Sequence, residues 1–203
     1  HVEKKILPSD IKADIFFVPE EGKPFKLLVC DMESTIVDNE FLDEIADYLK
    51  LGNKVAEITA RAMNGELDFE AALKERIKLI AGLSVVEARN ILRTRIKYNP
   101  GAKEMVAKCK AAGMYCALVS GGFTMFTEAV KQELGFDEHR ANILVFENNK
   151  LVGVTDPVLG KEAKLEYLQN QCTKMGIELS QSITMGDGAN DLPMLHASGL
   201  GIA

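Results

Sequence analysis

Three short apolar segments most constrain how this chain can fold. They span residues 26–31, 115–120 and 183–187, and each ends in small or acidic residues before a turn and a helical pattern. Short continuous apolar runs are typical of parallel strands that are buried on both faces. Their alternation with helices predicts an α/β fold, a Rossmann-like doubly wound parallel sheet. Because ligands of such sheets bind beyond the carboxyl ends of the strands, we expect the polar residues that follow the three runs to meet in one crevice.

The segment between the first two strands is much longer than a single crossover helix, which needs about a dozen residues. Four stretches in it carry apolar residues at three- and four-residue spacing, namely 39–50, 53–64, 68–81 and 84–95. We therefore predict a helical cap, residues 39–96, inserted into a core that is made of residues 26–38 and 97–203. Residues 1–25 form a separate N-terminal segment in this division.

Further elements are predicted within the core. Residues 101–112 and 161–175 have helical patterns, and residues 141–156 indicate a hairpin that turns at Asn148 and Asn149. The last residues, 201–203, lie in an apolar run that looks like a strand. We therefore expect the natural chain to continue beyond them.

Composition narrows the function classes. The net charge of −6 argues against non-specific binding to nucleic acid or to an anionic membrane. No apolar run approaches the roughly 20 residues that span a bilayer, and the four cysteines lack the C-x-x-C spacing of redox or zinc motifs. We expect a cytoplasmic protein with reduced thiols that acts on a small molecule, as a monomer or a homodimer.

Two carboxylates follow the first predicted strand. Asp31 ends the strand and Glu33 comes two residues later, within residues 31–35 (DMEST). A carboxylate in this position can attack phosphorus and form an acyl phosphate. A second one can protonate the leaving alkoxide and then deprotonate a water molecule. The same pair could instead be an acidic cap at a junction between a strand and a helix.

Ser120, Gly121 and Gly122 follow the second strand and precede a helix. A hydroxyl beside consecutive glycine N–H groups forms a concavity that binds anions, although a plain turn would have a similar sequence. Lys164, in the predicted helix 161–175, offers a compact positive charge that suits a transferring phosphoryl group. Most single lysines on helices are only solvated.

Residues 186–191 (GDGAND) follow the third strand, and their Asp187, Asn190 and Asp191 present oxygen atoms within one turn. Magnesium prefers such hard oxygen ligands, whereas the bland alternative is a turn with a helix cap. Taken together, the carboxylates, the glycine loop, the lysine and this acidic loop supply every part that phosphoryl transfer needs. The sequence therefore predicts a magnesium-dependent phosphatase.

Four segments carry a family resemblance: residues 31–35 (DMEST), 58–65 (ITARAMNG), 119–124 (VSGGFT) and 186–192 (GDGANDL). With them the chain resembles the haloacid dehalogenase-like superfamily and, within it, the phosphoserine phosphatases. The likeness extends from Lys26 to the end of the sequence. It implies hydrolysis of O-phospho-L-serine to L-serine and phosphate, the last step of serine biosynthesis, with Mg²⁺ as cofactor.

The resemblance also implies a role for each site residue. Asp31 would be the nucleophile, and Glu33 the general acid and base whose main-chain carbonyl also binds the metal. Asp187 would complete the metal site and Asp191 would support it. The phosphate would be bound by Ser120, Gly121, Lys164 and Asn190. In the cap, Glu40 would bind the ammonium group and Arg76 the carboxylate of the substrate, while Met63 and Phe69 would close over it.

One residue departs from the family pattern, which has aspartate at the position of Glu33. The extra methylene moves the carboxyl group outward by more than an ångström unless the side chain folds back, and misplacement by about 1 Å can cost on the order of 10²-fold in rate. Glu33 could work with an adapted geometry, favour transfer of the phosphoryl group to an acceptor alcohol, or impair the enzyme. A phosphotransferase and a non-catalytic phosphate binder therefore stay open as alternatives.

Overall fold

The computed structural model describes residues 23–160 and 162–203. Most of the N-terminal segment predicted over residues 1–25 therefore lies outside the described residues. The strands are β1 (Leu27–Cys30), β2 (Tyr115–Phe123), β3 (Glu138–Asn142), β4 (Leu144–Glu147), β5 (Lys150–Val154), β6 (Ser182–Met185) and β7 (Leu200–Ile202). The helices are α1 (Phe41–Tyr48), α2 (Gly52–Met63), α3 (Phe69–Leu79), α4 (Val85–Arg95), α5 (Ala102–Ala111), α6 (Thr124–Leu134), α7 (Glu162–Met175) and α8 (Leu192–Ala197).

Five strands form one parallel sheet in the order β3-β2-β1-β6-β7. Side chains alternate between its two faces, as the two-residue period of a strand requires. Leu28 and Cys30 of β1 pack into the cluster that includes helices α5 and α6, whereas Leu27 and Val29 pack against α7 and α8. This arrangement confirms the predicted α/β fold with β1, the strand that directly precedes Asp31, in the centre.

The four helices expected between the first two strands are present as α1 to α4. The two chain segments that connect them with the sheet lie side by side. Val37 forms a bridge with Tyr98, and Asp38 N donates to Lys97 O at 2.8 Å. Because both segments belong to one small paired structure, they connect the helices to the sheet at a single place. The division of the chain into a core and a cap stays a prediction.

The predicted hairpin consists of β4 and β5, and Asn148 and Asn149 turn it with positive φ angles of 47° and 63°. Its N-terminal bound was wrong, because residues 141 and 142 belong to β3, an edge strand of the parallel sheet. The polar sequence of β3 gives no apolar run that could have indicated a strand. The hairpin also contacts the helical insertion, the segment from α1 to α4. Gly82 N donates to Leu151 O, and Leu151 N donates to Leu83 O, both at 2.8 Å.

None of the helices in residues 23–160 and 162–203 is long and apolar enough to cross a membrane. The four cysteines are free thiols. The cytoplasmic location stays a prediction.

Candidate active site

The polar residues at the carboxyl ends of β1, β2 and β6 line one cavity of about 170 Å³, as the sheet topology predicts. Residues 120–122 were expected after the second strand, but β2 continues through them to Phe123. Residues from α1, α3 and the segment before α1 form its other side. The cavity is lined by Asp31, Glu33, Glu40, Leu42, Phe69, Leu73, Arg76, Ser120, Gly121, Gly122, Phe123, Asp187, Gly188 and Asn190.

Asp31 follows β1 directly and is 6% exposed. Its main-chain N donates to Met185 O at 2.9 Å, which fixes it between β1 and β6. One carboxylate oxygen, Oδ1, accepts a hydrogen bond from Met32 N at 2.7 Å. Burial raises the pKa of the Asp31 carboxyl to about 6, against the opposing effect of Lys164. The residue therefore presents an oriented carboxylate at the floor of the cavity.

Lys164 lies in the first turn of α7 and is 3% exposed. Its Nζ is 2.8 Å from Asp31 Oδ2 and 2.5 Å from Asp191 Oδ1. The lysine thus compensates two buried carboxylates that would otherwise repel each other. These contacts exclude the alternative, left open by the sequence, that Lys164 is only a solvated lysine on a helix.

Three carboxylates form an acidic cluster, since one oxygen each of Asp31, Asp187 and Asp191 lie within 4.8 Å of one another. Oxygen atoms this close suit a divalent cation that takes hard ligands. Asp187, which is exposed, is oriented by a 3.1 Å hydrogen bond from Thr35 Oγ1. Sequence analysis gave Thr35 no role, although it belongs to the same motif as Asp31.

Residues 186–191 form a tight loop before α8. Asp191 accepts a hydrogen bond from Gly188 N at 3.0 Å through its side chain, and Asp191 N donates to Gly188 O at 3.0 Å. A Cβ atom at position 186 would lie 2.3 Å from Asp191 Cγ, so only glycine fits beside this carboxylate. The loop therefore brings Asp187, Asn190 and Asp191 to the sheet edge, and it is not merely a helix cap.

The anion loop, residues 120–122, interrupts the pairing of β2 with β3. Ser120 is 2% exposed, and its Oγ accepts a hydrogen bond from Gly122 N at 2.9 Å. The hydroxyl proton of Ser120 is thereby left to donate towards the cavity that Ser120 and Gly121 line. A hydroxyl and main-chain N–H groups in such a bulge make a concavity that suits an oxyanion.

Glu33 fits the site through two specific contacts. Its Oε1 accepts a hydrogen bond from Phe41 N at 2.9 Å, at the start of α1. Its Oε2 lies 2.7 Å from where a Cβ atom would stand at position 122, so Gly122 leaves room for the longer side chain. Burial, with a smaller contribution from the charge of Glu40, raises the pKa of Glu33 to about 8. The carboxyl group therefore tends to hold a proton at neutral pH.

Two charged residues face the cavity from the helical insertion. Glu40 Oε1 accepts a hydrogen bond from Ser34 Oγ at 2.8 Å, and burial raises the pKa of this carboxyl group. Within the described part of the chain, the buried Nε of Arg76 has no hydrogen-bond partner. Its neighbour in sequence, Glu75, pairs with Arg61 at 2.8 Å.

Two apolar residues were expected to close over a substrate. Phe69, the first residue of α3, lines the cavity, and its Cζ is 3.4 Å from where a Cβ atom would stand at Gly121. Met63, the last residue of α2, lies elsewhere. It is 84% exposed and lines a second cavity between α1 and α2. The role of Met63 stays a prediction.

Comparisons with known proteins identify the family of this chain. A family model for the haloacid dehalogenase-like hydrolases matches residues 28–196. A phosphoserine phosphatase of Albidiferax ferrireducens is 44% identical over 93% of this chain and 82% of its own length.

Two solved structures extend the likeness to the fold. A HAD family hydrolase of Salmonella enterica has a TM-score of 0.88 and 32% identity to this chain. The matched region covers 93% of this chain and 65% of that protein. A phosphoserine phosphatase solved as an analogue of its phospho-aspartyl intermediate has a TM-score of 0.79 and 38% identity, over 88% of this chain and 85% of its own.

Replacing Lys164 tests whether it compensates the buried carboxylates. We expect Lys164→Met to lower the free energy of unfolding by about 3 kcal/mol in the presence of a chelator, because Asp31 and Asp191 lose their counter-charge. Lys174→Met, an exposed position on the same helix, is the matched control and should change stability by less than about 0.5 kcal/mol. Urea denaturation of the three proteins measures this difference, and equal stabilities would contradict the assignment.

Proposed function

This chain belongs to the haloacid dehalogenase-like hydrolase family, and we propose that it is a phosphoserine phosphatase that hydrolyses O-phospho-L-serine through a phosphorylated Asp31. One observation carries the proposal. The buried carboxylate of Asp31, which pairs with Lys164, faces the same cavity as the anion loop, Glu40 and Arg76, whose Nε has no hydrogen-bond partner among the described residues. These groups match the phosphate, carboxylate and ammonium groups of one small molecule. Release of L-serine is consistent with a role in serine biosynthesis.

In the first step a carboxylate oxygen of Asp31 attacks phosphorus. A bond from this oxygen to phosphorus forms as the bond from phosphorus to the serine oxygen breaks, and Glu33 gives its proton to the departing alkoxide. The raised pKa of Glu33 supports this role, because the residue holds the proton that must be transferred. Its hydrogen bond from Phe41 N keeps the carboxyl group in place.

In the second step water hydrolyses the acyl phosphate. Glu33, now a carboxylate, takes a proton from the water molecule as the water oxygen bonds to phosphorus and the Asp31 oxygen leaves. The same residue thus acts as the acid and then as the base, which returns both carboxyl groups to their starting states. Closure of the cavity would exclude water from the first step, and its opening would admit water for the second.

The charge on the phosphoryl oxygens would be balanced by groups that the fold already holds in place. Lys164 offers its ammonium group, Ser120 its hydroxyl proton, and Gly121 and Asn190 line the same part of the cavity. Fixed donors of this kind stabilise developing charge because they need no reorganisation during the reaction.

A magnesium ion fits the acidic cluster, whose oxygen atoms are the hard ligands that Mg²⁺ prefers. Asp31, Asp187 and the main-chain carbonyl of Glu33 would hold it, with Asp191 in support. When bound, such an ion supplies positive charge beside the phosphoryl oxygens.

The substrate's amino-acid end would lie against the cap. Arg76 can form a forked pair of hydrogen bonds with a carboxylate, and its Nε has no competing partner among the described residues. Glu40 would accept the ammonium group. Phe69 covers the anion loop from the same side.

The activity test compares this chain with variants of its two catalytic carboxylates. We expect magnesium-dependent phosphate release from L-phosphoserine, none from Asp31→Asn, and a loss of about 10²-fold or more in kcat for Glu33→Gln, which cannot transfer a proton. Glu33→Asp should keep measurable turnover, because it keeps a carboxylic acid that can transfer the proton. Turnover by Glu33→Asp alone would show that Glu33 impairs the enzyme.

The same assay separates hydrolysis from phosphotransfer. We expect free phosphate as the main product even when an acceptor alcohol such as glycerol is added. A phosphorylated alcohol as the main product would favour the phosphotransferase instead.

Replacing Arg76 tests the substrate's carboxylate contact. We expect Arg76→Met to lower kcat/KM for L-phosphoserine by about 10- to 100-fold, the usual cost of a lost charged hydrogen bond. Turnover of phosphoethanolamine, which lacks the carboxylate, should change by less than about threefold. The control is Arg61→Met, which replaces an arginine of α2 that pairs with Glu75. It should leave kcat/KM for both substrates unchanged. Equal losses on the two substrates would rule out a carboxylate contact for Arg76.

A further inference from the structure

The anion loop leaves the sheet between two points of regular pairing. Val119 pairs with Arg140, the register then shifts, and pairing resumes where Phe123 lies opposite Asn142. Residues 120–122 therefore lack the continuous ladder that holds the rest of β2. A loop that must present donors to an anion within tenths of an ångström needs another support.

The side chain of Asn142 supplies that support. Its Nδ2 donates to Gly121 O at 2.7 Å, from the last position of β3. Asn142 is 3% exposed, so both ends of its amide need partners inside the protein. The bond to Gly121 O takes the place of a ladder hydrogen bond at the interruption.

The other end of the same amide holds a second segment of the site. Asn142 Oδ1 accepts a hydrogen bond from Leu159 N at 2.8 Å. Gly160 follows, and its carbonyl accepts from Ala163 N at 3.1 Å at the start of α7. The next residue is Lys164. One amide thus connects the anion loop with the segment that leads into the lysine helix.

A narrow cavity confirms that these two segments adjoin, because Ser120 and Gly121 line it together with Leu159, Gly160 and Lys164. The anion loop and Lys164 thus both border this cavity. Their separation decides whether both can contact the same phosphoryl group.

We propose that Asn142 is a positioning residue that sets the distance between the anion loop and Lys164. It contacts neither the substrate nor the reacting atoms, and it acts through Gly121 and Leu159. Asparagine suits the position because one end of its side chain must donate and the other must accept. Aspartate would keep the bond from Leu159 N but place a carboxylate against the carbonyl oxygen of Gly121.

The inference rests on the proposed function, so its test includes a binding measurement that needs no turnover. Dissociation constants for inorganic phosphate, measured calorimetrically in the presence of Mg²⁺, are compared with kcat and KM for L-phosphoserine. If the unaltered chain fails to hydrolyse phosphoserine, the proposed function falls, while the phosphate affinities still test Asn142.

We expect Asn142→Ala to weaken phosphate binding by about tenfold and to lower kcat by about 10²-fold, the usual cost of misplacing catalytic groups by about an ångström. Asn142→Asp should weaken binding as well. Since Asn142→Ala adds no charge, a loss in both variants cannot be a simple repulsion between a new carboxylate and phosphate.

A second destabilised variant separates positioning from general stability. Val106→Ala truncates a fully buried side chain on α5, which contains neither Asn142 nor either segment that Asn142 connects. It should lower the melting temperature but leave phosphate affinity and kcat within twofold of the unaltered chain.

The inference is overturned if Asn142→Ala also stays within twofold, or if Val106→Ala loses as much. If Asn142→Ala fails to fold, Asn142→Asp replaces it, because aspartate keeps the side-chain volume and the hydrogen bond from Leu159 N. Its phosphate affinity and kcat are then compared with the same twofold limits at low and at high salt.

Discussion

The buried ammonium group of Lys164, between the carboxylates of Asp31 and Asp191, is the interaction on which the rest of the site depends. Two carboxylates this close and this buried repel each other, and the loss of water raises the cost further. One lysine from α7 offsets both. The charge of Lys164 stabilises the acidic cluster in the folded protein, and in the proposed reaction it would also bind the phosphoryl group. Stability and the proposed chemistry therefore require the same residue.

The parallel sheet explains how distant parts of the sequence meet at this lysine. Asp31 and Asp191 follow two neighbouring strands, β1 and β6, and the anion loop lies in the C-terminal part of β2, on the other side of β1. Carboxyl ends of parallel strands share one edge. Residues of α1 and α3 lie on the other side of the cavity at that edge, and two contacts of Phe41 are specific. Phe41 donates to Glu33, and the side chains of Phe41 and Phe126 stack with ring centroids 4.2 Å apart. The proposed acid is therefore held by the first residue of α1, so the position of α1 and the position of the acid are coupled.

Sequence analysis predicted the parts of this architecture that have strong local signals. Apolar runs identified β1, β2 and β6, and the density of oxygen-bearing residues in 186–191 identified the acidic loop. It missed β3, whose polar sequence indicates no strand, and with it Asn142, which stood inside a predicted hairpin. Nor could it indicate that Glu33 accepts a hydrogen bond from Phe41 N, or that Glu33 Oε2 lies next to Gly122. Such contacts depend on how separate elements are placed in the fold. Met63 was assigned by resemblance alone, and its exposed position on α2 gives no contact that supports the assignment.

The central claim is that Asp31 itself carries the phosphoryl group, and acid quenching during turnover of ³²P-labelled L-phosphoserine tests it most directly. The account predicts radioactive label on the peptide that contains Asp31, released by hydroxylamine as an acyl phosphate must be, and absent from Asp31→Asn. Rapid phosphate release with no label on that peptide at any time would contradict it, because water would then attack the substrate directly.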